Sequence, residues 1–444
     1  MFLSSFVRVP GLQKEKRKTE RISSIMREVV VTGLGAVTPI GNDVKSFWEG
    51  LLAGKNGIDR VTKFDTSEFK AHVAGEVKGY DPLLYMDKGE ARKADLFEKY
   101  AIGAAVQAME DSGLNDANIE KTRLGVYVGS GIGGMETFVN NTIGLHDGGP
   151  RKVSPFFVPM MISNMAAGLI AIKFQAQGPC LPIVTACATG THSVGEAYKA
   201  IAGGYADAII AGGAEAAVTP LSFAGFGNAM TLNSSEDPSC ASIPFDARRK
   251  GFVMGEGAGM LILEEKQHAL SRGAHIYAEV VGYGNTCDAY HITAPDPQGA
   301  MGAKAIQLAM EGAGILDGQG RVQEGLDMRQ VYINAHGTST VLNDKCETAA
   351  VKTVLGDRAY QVRISSTKSM TGHMLGAAGA VEAVAIAMSL KDGAVPPTIG
   401  YQEPDPDCDL DYTPNQAARV PLKFAVSTSL GFGGHNACIA MKKV

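Results

Sequence analysis

From Val29 onward, short runs of β-branched and aliphatic residues alternate with longer Ala-rich stretches whose apolar positions recur at helical period, the pattern of a layered α/β protein. The runs predict strands over 29–34, 124–130, 208–212, 259–264, 276–283, 330–335, 362–367 and 424–429. The stretches predict helices over 93–112, 190–203, 302–313, 346–355 and 376–391. Several strands run into small or polar residues: Val128-Gly129-Ser130-Gly131, Ile333-Asn334-Ala335-His336-Gly337 and Ile364-Ser365-Ser366-Thr367-Lys368. Ligands of open α/β sheets collect at such carboxyl ends, so chemistry is expected there.

An internal repeat bears on how the chain is divided. Val106-Gln107-Ala108-Met109-Glu110-Asp111-Ser112-Gly113 precedes a strand ending at Gly129, and Ile306-Gln307-Leu308-Ala309-Met310-Glu311-Gly312-Ala313 precedes one ending at Asn334. Two similar α/β halves are inferred, 27–275 and 276–444. Residues 1–26 are charged around Lys14 to Arg21 and lack the apolar run of a secretory signal. They read as a disordered leader or extension. A cytoplasmic location follows, or a plastid or mitochondrial one if the leader is a transit peptide, against which Glu15 and Glu20 count.

Composition narrows the function. In 444 residues, 41 Lys and Arg stand against 46 Asp and Glu, a net charge of −5 that argues against a nucleic-acid or anionic-membrane partner. Seven widely spread cysteines without a C-x-x-C pair argue against a disulfide framework and a zinc cluster. The 54 glycines show no G-X-Y period and predict tight turns and close backbone approaches.

Cys187, in Thr185-Ala186-Cys187-Ala188-Thr189-Gly190, lies between a buried-looking strand and the start of a helix, whose dipole is expected to lower the thiol pKa and favour a nucleophile. The other six cysteines read as small buried hydrophobes. His336 and His373 each follow a predicted strand in a small-residue loop that can aim an imidazole into a cleft. A Cys-His pair alone also suits a cysteine hydrolase. Gly431-Phe432-Gly433-Gly434 is either a plain tight hairpin or a source of backbone donors for an oxyanion. Gly129 to Gly134 lacks the Lys-Ser/Thr ending of a phosphate loop and the spacing of a dinucleotide fingerprint, so nucleotide binding is rejected.

Together, Thr185-Ala186-Cys187, Asn334 to Thr340, Lys368 to His373 with Leu375-Gly376-Ala377-Ala378-Gly379, and Gly431 to Gly434 resemble the β-ketoacyl-acyl-carrier-protein synthases, in family order and most closely the elongating synthase II type. Arg151 to Pro159 and Phe245 to Gly257 strengthen the likeness. The resemblance implies a thiolase-like fold, duplicated α/β halves packed as five layers (αβαβα), and a homodimer. It implies an acyltransferase of fatty-acid synthesis that condenses acyl- with malonyl-acyl-carrier protein, releasing CO₂. Cys187 would carry the acyl group, with the N–H groups of Cys187 and Phe432 as the oxyanion hole, and His336 and His373 would bind the malonyl thioester. Lys368 and Glu347 would form a supporting ion pair. Ile132, Phe226, Thr338, Thr340, Phe432 and Gly433 would contact substrate. No cofactor is required, since phosphopantetheine arrives on the carrier protein; a structural monovalent or divalent cation would sit at Asn334, Glu382, Ser427 and Thr428.

Other members of the superfamily offer rival readings. A ketosynthase of a dissociated polyketide pathway shares the three catalytic residues. A biosynthetic thiolase would need a second catalytic cysteine, for which Cys438 is poorly placed after Gly433-Gly434. A chain-length factor would lack Cys187, and a synthase starting from acetyl-CoA would carry Asn in place of one histidine.

Overall fold

The computed structural model describes residues 26–444, so the leader lies outside the described residues except for Met26. Nine strands form the main sheet: β1 (Val29–Val37), β2 (Leu124–Gly129), β3 (Ala208–Glu215), β4 (Gly257–Glu265), β5 (Ala278–Cys287), β6 (Val331–Asn334), β7 (Arg363–Ser365), β8 (Phe424–Gly431) and β9 (His435–Lys442). Their spatial order is β2-β3-β4-β1-β5-β9-β8-β6-β7. Only three residue pairs, Val29 to Val31 against Val280 to Ala278, join β1 to β5 in the middle. On one side β2 and β3 form an outermost parallel pair with antiparallel β3–β4 and β4–β1 inside it; on the other, β6 is parallel to both β7 and β8, and β8 is antiparallel to β9.

The principal helices are α1 (Leu96–Ser112), α2 (Met165–Phe174), α3 (Thr189–Ala202), α4 (Ala300–Gly312), α5 (Val341–Leu355) and α6 (Ala378–Asp392). Strand alternation sorts the core into layers. Ile209, Ala211, Leu261, Leu263, Ala425 and Ile439 turn toward a central cluster with α3 and α6, while Ala208, Ile210, Met260 and Ile262 turn outward to α1 and α2. Val426, Cys438 and Ala440 face a third cluster under α4 and α5. Helices, sheet, buried helices, sheet and helices therefore make the five expected layers. Because strands are apolar on both faces, they read as continuous hydrophobic runs rather than alternating ones.

Glycine decides how closely these layers approach. A Cβ on Gly33 or Gly35 would lie 2.2 or 1.9 Å from the Ala108 or Ala104 carbonyl oxygen of α1, and one on Gly282 or Gly284 would lie 2.0 or 1.9 Å from that of Ala309 or Ala305 in α4. The same strand-to-helix contact is thus built twice. Between the sheets, α6 is buried from Ala378 to Leu390 on every face, so it shows no amphipathic stripe.

All eight expected strands are present, but β9 was not expected. The segment before Cys187 also departs from expectation. It is not a buried strand: Cys180 makes one bridge to Val126, and Leu181 and Val184 remain about half exposed.

Candidate active site

Four loops at strand ends or helix starts converge on one cavity of about 370 Å³, lined by Cys187, Phe226, Phe252, His336, Thr338, Thr340, His373, Leu375 and Phe432 among others. Cys187 sits in a 3₁₀ turn, Ala186–Ala188, that leads into α3. Ala186 has φ +50°, a left-handed conformation that costs a non-glycine residue about 1–2 kcal/mol. Surrounding bonds hold the bend: the Thr185 N–H donates to Thr189 Oγ1 at 2.8 Å, and the Ala188 N–H to the Thr185 carbonyl at 3.0 Å. Gly431 lies so close that a Cβ there would come within 2.8 Å of the same carbonyl. The β8–β9 hairpin, with Gly433 at φ +85° and Gly434 at +77°, then presents the Phe432 N–H beside the thiol.

A helix N-terminus predicts an acidic thiol, and the structure overturns this. Burial pushes Cys187 up to about 12, against the opposing pull of the Lys368 ammonium and of the N–H groups of Phe432 and Cys187. Removing the sulfur from water outweighs the local dipole. Cys187 is therefore a thiol at rest. Of the other cysteines, Cys346, Cys408 and Cys438 are buried as expected, whereas Cys180 and Cys287 are exposed and Cys240 is half-buried.

His336 and His373 are 2 and 3% exposed, with ring centroids 5.2 Å apart and planes nearly perpendicular. Backbone bonds fix both loops: the His336 N–H reaches Glu347 Oε1 at 2.7 Å, the Gly337 N–H reaches Glu347 Oε2 at 2.8 Å, and the His373 N–H reaches the Val253 carbonyl at 2.7 Å. Burial, then the Lys368 charge, holds both imidazoles well below their usual range. Each is neutral near pH 7 and so offers one N–H donor.

The expected Lys368–Glu347 pair is corrected. Lys368 Nζ bonds Glu382 Oε1, both side chains being almost fully buried. Glu347 is spent on the His336 loop and on the Thr428 hydroxyl. One turn of α6 carries Glu382 under Lys368, a tertiary placement that spacing along the chain does not reveal.

Of the expected substrate contacts, Phe226, Thr338, Thr340 and Phe432 line the cavity, and the two threonine hydroxyls lie 3.0 Å apart. Phe432, Phe226, Phe252 and His373 form a chain of ring contacts at 6.2, 5.5 and 5.4 Å. Ile132 is not on the cavity lining but packs on the same apolar cluster as Cys187 and Phe226. Gly433 does not face the cavity either; its N–H donates to the Ile292 carbonyl at 2.8 Å, tying the hairpin to the loop after β5.

Around the expected cation positions, the side-chain oxygens of Asn334 and Ser427 and Glu382 Oε2 are buried without a protein partner, while the Thr428 hydroxyl is committed to Glu347 and the His336 N–H. Asn334 and Ser427 are register partners on β6 and β8. Among the described residues, no group of three or more His, Cys, Asp or Glu could hold a metal.

Sequence reasoning missed Glu215. Its buried carboxylate accepts from Ser130 Oγ at 2.7 Å and from the N–H groups of Gly131, Ile132 and Gly376 at 2.8, 3.2 and 3.0 Å. The glycine loop after β2 thus already holds an anion of the protein's own. The available signal was a carboxylate closing the otherwise apolar strand Ala208 to Glu215.

The match to known families now decides what this geometry belongs to. Residues 26–269 match the beta-ketoacyl synthase N-terminal domain and residues 277–402 the C-terminal domain. The chain belongs to the beta-ketoacyl synthase family. It is 51% identical over 417 residues to the 3-oxoacyl-(acyl-carrier-protein) synthase 2 of Staphylococcus aureus strain N315, covering 94% of this chain and 98% of that protein. The Synechocystis protein of the same name is 50% identical over 419 residues, at the same coverages. Among solved structures, a type II polyketide ketosynthase in complex with its acyl-carrier protein is 37% identical, with a TM-score of 0.85 over 94% of this chain and all of that one. A beta-ketoacyl synthase from Burkholderia phymatum is 34% identical at the same TM-score and coverages. The resemblance drawn from the motifs, the thiolase-like fold and the condensing-enzyme class are borne out.

Proposed function

We propose that the chain elongates fatty acyl groups by decarboxylative Claisen condensation, with Cys187, His336 and His373 in the bond-making steps. In the first half-reaction the Cys187 sulfur attacks the thioester of acyl-acyl-carrier protein. The N–H groups of Cys187 and Phe432 stabilise the oxyanion, the acyl group passes to the sulfur, and the pantetheine thiolate leaves with the Cys187 proton. In the second, malonyl-acyl-carrier protein loses CO₂. The enolate oxygen accepts hydrogen bonds from the two neutral imidazoles, and its carbon attacks the acyl-Cys187 carbonyl. Cys187 departs, regains a proton, and 3-oxoacyl-acyl-carrier protein is released. The observation that carries this reading is one apolar cavity in which a thiol beside two backbone donors shares the wall with two buried neutral histidines.

Lys368, held by Glu382, positions the site through its charge rather than by proton transfer, and Glu347 fixes the His336 loop. Thr338 and Thr340 hold the pantetheine arm, Phe432 stands between the acyl and malonyl sites, and Ile132 borders the acyl tail. In this reading the chain divides at 275/276 into a half bearing the thiol and a half bearing the histidines. A cation fits the unpartnered oxygens of Asn334, Ser427 and Glu382, which suit a hard ion and would be relieved of their desolvation by it. No other cofactor enters the reaction.

The partner is an acyl-carrier protein, for which exposed Lys88, Arg92, Arg151 and Lys152 offer positive charge on a chain of net −5. A homodimer is supported by the apolar side chains of Leu181 and Val184, which stand about half exposed and which a second copy would bury. A cytoplasmic location belongs to the same reading; among the described residues no helix is long and apolar enough to cross a membrane. The polyketide alternative is less favoured, because the fatty-acid relatives are 50–51% identical and the polyketide ketosynthase 37%. Intact-mass measurement after incubation with a long acyl-acyl-carrier protein tests the proposal. One acyl group should be added and lost in Cys187→Ala; no adduct on the wild type refutes it.

A further inference from the structure

The carboxylate of Glu215 joins two loops that the reaction uses separately. Oε1 takes Ser130 Oγ and the Ile132 N–H, and Oε2 takes the N–H groups of Gly131 and Gly376. Ser130 Oγ in turn accepts from the Gly133 N–H at 2.9 Å, so every residue from Ser130 to Gly133 hangs on this one side chain. Gly376 stands three residues after His373, in a turn where Leu375 has φ +46°. The two loops touch so closely that a Cβ on Gly376 would lie 2.4 Å from the Gly131 nitrogen. Glu215 itself is fully buried, and Ile132 and Leu375 pack in the cluster that also contains Cys187.

We propose that Glu215 is a positioning and chain-length-determining residue, locking the Ile132 wall of the acyl pocket to the turn that carries His373. This rests on the condensing reaction proposed above. The ordered bonds have a direct consequence for substrate. A long acyl tail that reaches Ile132 meets a wall held by Oε1, whereas the malonyl site depends on the Gly376 turn held by Oε2. Oε1 thus holds the Ile132 wall alone, while Oε2 ties the same loop at Gly131 to the Gly376 turn, and the two can be separated chemically.

Glu215→Gln does this. With its amide toward Gly131 and Gly376, two N–H groups would face an N–H₂, so the side chain settles with the amide toward Ser130, whose hydroxyl turns and accepts. Ile132 then loses its acceptor while Gly131 and Gly376 keep theirs. The Ile132 N–H is part-buried, and leaving it unpaired disfavours the loop arrangement that accepts a long tail roughly tenfold. In purified full-length protein, kcat/KM for primers of about fourteen carbons should fall roughly tenfold more than for primers of about six carbons, while malonyl-acyl-carrier protein decarboxylation is retained. Glu215→Asp, too short to reach either loop, should lower all three rates.

Ser130→Ala tests the same wall without touching the carboxylate, and serves if Glu215→Gln does not fold. It should disfavour long primers in the same sense. A long-to-short ratio that is unchanged, or shifted toward long primers, in whichever of these variants folds overturns the proposal, as does a parallel loss of decarboxylation in Glu215→Gln. Wild-type protein assayed alongside keeps the two levels apart. If it fails to condense either primer, the condensing reaction itself is wrong; if it condenses both, the variants speak for Glu215 alone.

Discussion

Lys368→Met isolates the buried ion pair under the two histidines. Methionine retains most of the lysine stem and removes only the ammonium, so the packing loss is small. Lys368 and Glu382 are 1 and 2% exposed, and burial already pushes the Glu382 carboxyl up to about 7 with Lys368 opposing. Between the ordinary 4.5 and about 7, the folded protein keeps a proton that the unfolded chain has released, so stability falls with rising pH across that window and levels off above it. Without the ammonium, and in protein stripped of bound cations, burial and the nearby Glu347 charge both raise Glu382 further. The variant should therefore go on losing up to about 1.4 kcal/mol per pH unit above about pH 7, where the wild type is level, until its Glu382 ionises. Glu347 shifts in the same sense, because Lys368 also holds it down. His336 and His373 add to the trend from the acid side, where loss of Lys368 lets them rise. Urea unfolding over this pH range measures the difference, and Glu382→Gln added to Lys368→Met should flatten it. A difference between variant and wild type that does not change with pH would refute the assignment of Lys368 as the charge that balances Glu382.

Because Cys187 is pushed up to about 12, its alkylation by iodoacetamide should rise about tenfold per pH unit through pH 9 without a plateau, with exposed Cys180 and Cys287 labelled sooner; mass mapping showing Cys187 saturating near neutral pH would contradict the buried-thiol reading. His336→Ala or His373→Ala should lose malonyl-acyl-carrier protein decarboxylation while acyl transfer to Cys187 survives in part, since the proposed oxyanion donors are backbone groups; normal CO₂ release in both variants would count against enolate stabilisation. Reversing exposed Arg151 and Lys152 to Glu should raise KM for acyl-acyl-carrier protein and weaken its salt dependence at unchanged thermal stability, and unchanged kinetics would place docking elsewhere. Ile132→Phe should block long primers and spare short ones, each denied methylene forfeiting about 0.8 kcal/mol, whereas equal losses would remove Ile132 from the acyl pocket.

What the amino-acid sequence determined is local. Period and turn residues located the eight strands and the helices that position the site, because β-branched runs, Ala-rich helical spacing and glycine-bounded turns act within a few neighbours. The same locality made Cys187, His336, His373 and the Phe432 hairpin legible as strand-end and helix-start chemistry. Strand β9 escaped because His435 to Lys442 holds a single β-branched residue, Ile439, among Asn, Ala, Cys and Met, and so shows no β-branched or aliphatic run to mark it. Everything that depended on distant partners waited for the tertiary structure. Lys368 chose Glu382 over Glu347 because α6 runs beneath it, and Glu215 became the link between two loops because β3 ends where Gly131 and Gly376 meet. The thiol of Cys187 rose instead of falling because desolvation exceeds the pull of Lys368 and of the N–H groups of Phe432 and Cys187. Hydrogen-bond reach and burial are properties of the assembled layers, and a chain read one neighbourhood at a time carries neither.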